Sequence, residues 1–220
     1  LLRLAPPRVI RTRLFRVVLK VPNPEGRILT FTEKPTREEA RSRDINAGIY
    51  IFNREVLAHF PAGACSVERQ VFPDLLARGM HLHGFRGPCY WTDLGTPDDY
   101  LQAHRDILAG RVALPLGFAE RRPGIWCGAD AQIAADARLI PPVVLGAGVR
   151  IAPGAVVGPS AVLGAGVVVE TGAQVEDSIL WEHTHVAARS RIRGSILGRA
   201  VRAAGQVYAR VCEDDLDLSG

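Results

Sequence analysis

Lysine is almost missing from this sequence: of 27 basic residues only Lys20 and Lys34 are lysines. Arginine serves wherever a generic surface charge will do. A lysine kept inside a motif therefore points to a need for a compact ammonium. No run approaches the 18 or so apolar residues of a membrane-spanning helix. The four cysteines, Cys65, Cys89, Cys127 and Cys212, include no C-x-x-C pair. That argues against a zinc site or a dense disulfide framework and predicts reduced, mostly buried thiols in a cytoplasmic protein. Acid is absent from residues 1–24, which hold Arg3, Arg8, Arg11, Arg13, Arg16 and Lys20. The rest of the chain carries 21 basic against 23 acidic residues, so the net charge of +4 resides in that one segment. A nucleic-acid interface would need a basic patch on a folded surface with stacking aromatics. Residues 1–16 read instead as a poorly ordered basic segment, without the compact apolar block of a secretory signal.

The second half has a repeat. Every sixth residue from Ile133 is aliphatic: Ile133, Leu139, Leu145, Ile151, Val157, Leu163, Val169, Val175. The residue after each is small or polar, Ile140 excepted, and the residue four after each is Ala, Val or Ile. A period of six fits neither an amphipathic helix nor a coiled coil. It fits a coil with three flat faces, one short strand and one turn per face, with an aliphatic side chain of each face pointing inward. The pattern resembles the hexapeptide-repeat, left-handed parallel β-helix, in which three hexads make a coil of about 18 residues and coils stack at the strand spacing of roughly 4.8 Å. Leu180, Val186 and Ile192 continue one residue out of phase, and Leu197 restarts the count; a one-residue slip at a corner explains this. The β-helix is expected over 123–211, in four to five coils. Residues 212–220, with Glu213, Asp214, Asp215 and Asp217, read as an acidic cap or frayed end that discourages end-to-end association.

The first half alternates strand and helix, which says α/β. Strands are expected at 17–19, 27–32, 45–52, 81–85 and 90–92, and a short helix at 36–42. Ser66 opens a helix with Glu68 in its first turn and Val67, Val71, Leu75 and Leu76 as its apolar face. Thr96 is an N-cap, Pro97 sits at the first helical position, and the helix runs to Leu108 before Gly110 stops it. The organisation read from this is a 1–16 basic segment, an α/β portion at 17–110, a linker at 111–122, the β-helix at 123–211 and an acidic tail at 212–220.

Four stretches carry chemistry: Phe31-Thr-Glu-Lys-Pro35, Ile45-Asn-Ala-Gly-Ile-Tyr50, Ser66-Val-Glu-Arg-Gln-Val-Phe-Pro73 and Tyr90-Trp-Thr-Asp-Leu-Gly-Thr-Pro97. By their residues alone, Glu33 and Lys34 also fit a solvated ion pair, Gly48 a β-bulge, and Asp93 a helix-start cap. In this order, followed by a β-helix, the four stretches resemble the nucleotide-sugar pyrophosphorylases (sugar-1-phosphate nucleotidylyltransferases), and the S-x-E-x-x-x-F-P stretch most resembles the mannose-1-phosphate guanylyltransferase branch. The resemblance covers about 17–211. It implies that Lys34 contacts a sugar phosphate and Glu33 a sugar hydroxyl, that Asn46 and Gly48 line the sugar site, and that Asp93 is one of two aspartates holding a catalytic Mg²⁺, with Lys34 and Asp93 the catalytic pair. It also implies a nucleoside triphosphate and a sugar 1-phosphate as substrates, and a homo-oligomer built through the β-helix, with no nucleic acid or membrane involved.

The resemblance has a departure. The family's Gly-rich G-x-G-T-R-L loop and second metal aspartate lie far upstream of the E-K-P motif, whereas here 32 residues precede Glu33 and residues 1–25 contain no glycine. The chain, which opens on Leu1, is therefore expected to be a truncated enzyme, inactive alone, or else a non-catalytic assembly or regulatory subunit. His183 and His185 lack a third histidine in the β-helix and read as a surface pair on one strand face.

Overall fold

The structure, a computed structural model, describes residues 17–20, 26–33, 46–85 and 90–218, with backbone alone for 17–20 and 30–33. Lys34, Cys89, the 1–16 segment and the 36–42 helix fall outside the described residues. The chain divides into two compact units between Trp91 and Thr92.

In the first unit, β1 (Val17–Lys20) and β2 (Thr30–Glu33) pair antiparallel, Val17 opposite Glu33. Ser66 caps the next helical segment, its hydroxyl accepting from the Arg69 amide at 3.2 Å. The first turn, Val67–Val71, is a wide π-turn in which the Val71 amide reaches back to the Ser66 carbonyl at 3.3 Å. It leads into α1 (Phe72–Ala77). Val71, Phe72 and Leu75 are buried, with Tyr50, Phe52, Phe60, Met80 and Leu82 packed around them. Aromatic edges build this cluster: the Tyr50 ring meets Phe72 edge-on at 5.0 Å between centroids, a favoured geometry.

Three expected strands are not strands. Residues 46–52 are irregular, because Gly48 takes φ +74° and its amide is bonded by the Asn46 side chain rather than by a neighbouring strand. The 81–85 stretch makes one antiparallel bridge, His83 with Arg27, plus local backbone bonds from Ile28 to Leu82 and from Gly84 to Gly26. Residues 90–92 are not a strand and lead through 93–96 to the helix that starts at Pro97.

The second unit opens with α2 (Pro97–Leu108). Thr96 is its N-cap, the hydroxyl accepting from the Asp99 amide at 3.2 Å, and Pro97 sits at its start, as the sequence predicts. A parallel β-solenoid of about six turns follows, with three sheets. Inward-facing side chains form continuous columns: Cys127, Leu145, Leu163, Leu180, Leu197 and Cys212 on one face; Ile133, Ile151, Val169, Val186, Ala203 and Leu218 on the second; and Leu139, Val157, Val175, Ile192 and Val207 on the third. All the predicted aliphatics from Leu145 to Val175 are buried. Ile133 is 39 % exposed because its strand ends its sheet, paired on one side only among the described residues.

The slip is a shortened corner. From Val157 round the corner to Val162 on the next face takes five steps, while from Val175 to the matching Ile179 takes four. Asp177 absorbs the tighter bend at φ +49°. Buried Ser178 then satisfies the disturbed backbone: its hydroxyl donates to the Glu176 carbonyl at 2.7 Å and accepts from the Ser195 amide at 3.1 Å. Ser195 repeats the device one coil later, after Gly194 at φ +59°.

The solenoid is longer than the four to five coils expected. It begins at β4 (Ile125–Cys127), whose outer edge is covered by an antiparallel partner, β3 (Ala119–Arg122), inside the segment read as linker. It continues to Asp217–Leu218, which pairs with Arg202–Ala203. The acidic residues at 213–215 make a corner rather than a frayed end: the Asp214 carboxylate accepts from the Arg199 amide at 2.7 Å and lies 3.5 Å from its guanidinium.

One outer face of the solenoid is apolar and is covered by α2. Leu101 packs on Ile179 and Ile196, with Tyr100 and Val162 beside them. Arg105 grips Asp177 through two bonds of 2.6 Å, the bidentate arrangement that guanidinium and carboxylate favour. The Asp177 hydrogen bond raises the already high pKa of Arg105 further. Nearly buried Asp106 is held by Gln102 at 2.9 Å and Arg111 at 2.5 Å. The helix thus joins the solenoid by packing, although it directly follows the Tyr90–Pro97 motif.

Among the described residues no helix is long and apolar enough to cross a membrane. Cys65 is half-buried, and Cys127 and Cys212 are buried; all three are free thiols. Burial pushes the Cys127 and Cys212 thiols up from their usual range, which leaves them protonated and unreactive. His183 sits at a corner with φ +60°, so it does not share a strand face with His185. His185 reaches Glu170 on the preceding coil at 2.9 Å.

Candidate functional site

The first unit brings two of the four motifs together. Asn46 opens an irregular turn, and its side-chain carbonyl accepts the Gly48 amide at 3.0 Å. Its amide nitrogen donates to the Tyr50 hydroxyl and, at 3.3 Å, to Glu68 Oε1. The Tyr50 hydroxyl in turn donates to the same Glu68 oxygen at 2.6 Å. Ser66 Oγ lies 3.5 Å from the other Glu68 oxygen, and the Ser66 amide donates to Gln70 Oε1 at 2.9 Å. The 46–50 and 66–70 stretches are therefore one hydrogen-bonded body. Burial, then the hydrogen bond to Glu68, raise the Tyr50 phenol above its ordinary value.

Gly48 is exposed, and a Cβ added to it would meet nothing within 4 Å. Its backbone thus faces open space, where a ligand could approach closely. Asn46 differs from its sequence expectation: both amide hydrogens and one carbonyl lone pair are engaged within the protein, so one acceptor position remains for a ligand. Glu33 ends β2, and Lys34 follows it beyond the described residues.

Asp93 belongs to the other compact unit. It is half-buried, and Thr96 performs the helix-capping role that competed with a functional reading of Asp93. A single carboxylate of this kind suits one oxygen ligand of Mg²⁺, which takes few protein ligands and several from phosphate or water. Among the described residues no three His, Cys, Asp or Glu converge as a metal cluster.

Sequence reasoning missed Glu68 and Tyr50 as members of the site. Glu68 read as a first-turn acid and Tyr50 as the end of a strand. The available signal was the paired occurrence of the two motifs; their contact, 18 residues apart in sequence, is a tertiary fact.

The comparisons with known proteins agree with this anatomy. Residues 17–110 match the family described as Nucleotidyl transferase, so the chain carries a nucleotidyl transferase segment joined to a parallel β-solenoid. Residues 139–212 match the family described as GMPPB C-terminal domain. Together the two segments are similar to the nucleotide-sugar pyrophosphorylases, mannose-1-phosphate guanylyltransferases among them.

Among curated relatives, the UTP–glucose-1-phosphate uridylyltransferase of a Synechocystis species is 38% identical over 110 residues, covering 49% of this chain and 28% of that protein. The mannose-1-phosphate guanylyltransferase of Mycobacterium tuberculosis is 41% identical over 93 residues, 41% of this chain and 25% of that protein. The mannose-1-phosphate guanyltransferase of Schizosaccharomyces pombe is 42% identical over 87 residues, 40% of this chain and 23% of that protein. The chain thus spans about a quarter of the length of these relatives. A solved structure, the CcmM N-terminal domain in complex with CcmN, matches over 43% of this chain and 90% of that chain at 17% identity, with a TM-score of 0.28.

Proposed function

We propose that this chain is the sugar-phosphate side of a sugar-1-phosphate nucleotidylyltransferase of the mannose-1-phosphate guanylyltransferase kind. In the intact reaction a phosphate oxygen of the sugar 1-phosphate attacks the α-phosphorus of a nucleoside triphosphate. The bond from that phosphorus to the bridging oxygen breaks, and pyrophosphate leaves. No covalent enzyme intermediate is needed, so catalysis is positioning and charge stabilisation. Lys34 sets a point charge against the sugar phosphate, Glu33 accepts from a sugar hydroxyl, and the 46–48 turn lines the ring. Asp93 would hold Mg²⁺, which neutralises phosphate charge when bound. The observation that carries this reading is the union of the 46–50 and 66–70 motifs around the open backbone of Gly48.

Attack also needs the triphosphate held in line, with its β- and γ-phosphates neutralised and its base anchored. These 220 residues contain no Gly-rich loop near the E-K-P motif to do this: residues 1–25 lack glycine, and Gly128, Gly146, Gly164 and Gly198 stand at solenoid corners where a Cβ would meet backbone within 3 Å. The purified 220-residue chain is expected to bind mannose 1-phosphate and to release no pyrophosphate from any pairing of sugar 1-phosphate and triphosphate. Turnover abolished by Lys34→Ala would show that the chain is a complete catalyst, and failure to bind any sugar 1-phosphate would refute the sugar-site reading.

The solenoid would supply assembly. We expect a dimer or larger homo-oligomer through it, with Ile133 on the first coil among the exposed apolar side chains available for contact. Light scattering at micromolar concentration tests this, and a monomeric mass would count against it.

A further inference from the structure

We propose that Glu68 is a positioning residue for the sugar-phosphate site, fixing the Asn46–Tyr50 turn in the shape that presents the Gly48 backbone to ligand. This inference rests on the reading of that turn as part of the sugar site. Three observations converge on Glu68. Its Oε1 accepts from both the Tyr50 hydroxyl, at 2.6 Å, and the Asn46 amide, at 3.3 Å. Asn46 passes the constraint on, its carbonyl holding the Gly48 amide at 3.0 Å. The carboxylate itself rides on a helical turn anchored at both ends of Ser66, by the hydroxyl cap to Arg69 and by the Ser66 amide bond to Gln70.

The consequence is geometric. An irregular turn with a glycine at φ +74° has no strand partner to define it. Without Glu68, the Tyr50 hydroxyl would lose its acceptor and one Asn46 amide hydrogen its partner, leaving only the Asn46–Tyr50 bond between them, and Asn46 could turn its carbonyl away from Gly48. The Tyr50 ring is already fixed in the aromatic cluster by its edge-on contact with Phe72. Glu68 therefore links a rigid core to a backbone that is otherwise free to change. Half-buried hydrogen bonds to a charged acceptor are stronger than neutral ones, so this link sets the turn's conformation. Glu68 acts on the turn through Asn46 and Tyr50.

The experiment compares the full 220-residue chain with Glu68→Ala, Glu68→Gln and Tyr50→Phe. Mannose 1-phosphate binding is followed by calorimetry, and Tyr50 ionisation by the ultraviolet absorbance of tyrosinate across a pH titration. Glu68→Ala should weaken binding about tenfold, the loss expected from one well-formed hydrogen bond's worth of ordering. It should also let Tyr50 ionise at lower pH, because the hydrogen bond and the negative charge that oppose ionisation are both gone. Glu68→Gln keeps an oxygen that accepts from both donors, so binding should stay within about threefold of the parent. A purely structural role would not separate these two variants in binding while leaving thermal unfolding alike.

If Glu68→Ala shifts the Tyr50 titration yet binds like the parent, the positioning role is overturned while the sugar-site reading stands. If Glu68→Ala does not fold, Tyr50→Phe decides: weaker binding with an unchanged melting temperature supports the role, and unchanged binding overturns it. If the parent binds no sugar 1-phosphate, the sugar-site reading fails, and this inference fails with it.

Discussion

Replacing Val157 with aspartate is expected to unfold the solenoid. Val157 is fully buried in the column Leu139–Val157–Val175–Ile192–Val207, in register with a neighbour on each side. The substitution removes an aliphatic group from that column and puts a carboxylate where no donor is available. Burying an uncompensated charge costs about 5 kcal/mol or more, against a total of roughly 5–15 kcal/mol for a whole domain. Solenoid coils touch only their neighbours, so the damage at one coil splits the stack rather than being shared across it. Val156 is the control: it is half-buried on the same strand and faces outward. Val156→Asp should melt within a few degrees of the parent by circular dichroism, whereas Val157→Asp should show no cooperative transition near the parent's. Equal melting of the two would mean the inward register is wrong.

Gly158→Ala should be nearly as damaging, for a steric reason. Gly158 has φ +102°, and a Cβ there would lie 1.9 Å from the Ile140 carbonyl oxygen and 2.7 Å from a Val143 methyl. The oxygen is backbone on the neighbouring coil, so it cannot move aside without shifting that coil. The expected loss is about 3 kcal/mol or more, combining overpacking with a disfavoured backbone conformation. Gly148 separates the two effects. It also has positive φ, +64°, but a Cβ on it would meet nothing within 4 Å. Gly148→Ala should therefore lose only the conformational part, about 1 kcal/mol. Chemical denaturation of the three proteins measures both differences; if Gly158→Ala and Gly148→Ala lose the same stability, the close approach at Ile140 is not real.

The candidate site was legible in part. Asn46, Gly48 and the Ser66 motif stood out because polar residues and a glycine interrupt apolar stretches. What they do to one another did not stand out. Asn46 looked like a ligand with free donors, yet Tyr50 and Glu68 occupy both of its amide hydrogens. Glu68 looked like a helix-start charge. Local sequence records which groups are present but not which are used up inside the protein, because their partners arrive from 18 or 22 residues away. Asp93 illustrates the opposite case: Thr96, Pro97 and Asp99 lie within one helical turn, so the identity of the cap could be read directly.

The sequence by itself determined the solenoid interior. Each hexad's aliphatic residue repeats at a fixed spacing, and burial in a stacked coil depends only on that spacing, so the columns from Leu145 to Val175 were readable one residue at a time. It also determined α2, whose cap, proline and stop signal are local. Tertiary structure decided the rest. The 46–52 and 81–85 stretches have strand-like composition, but a strand exists only where a partner supplies its backbone hydrogen bonds, and here a side chain or a single bridge takes that place. The last coil at 217–218 reads as an acidic tail, yet it becomes a strand because the open edge at Arg202–Ala203 offers it a ladder. The attachment of α2 to the solenoid rests on Leu101 meeting Ile179 and Ile196, and on Arg105 meeting Asp177, 72 residues apart. No local pattern encodes pairs at that separation; they form because two apolar surfaces are both removed from water when they meet.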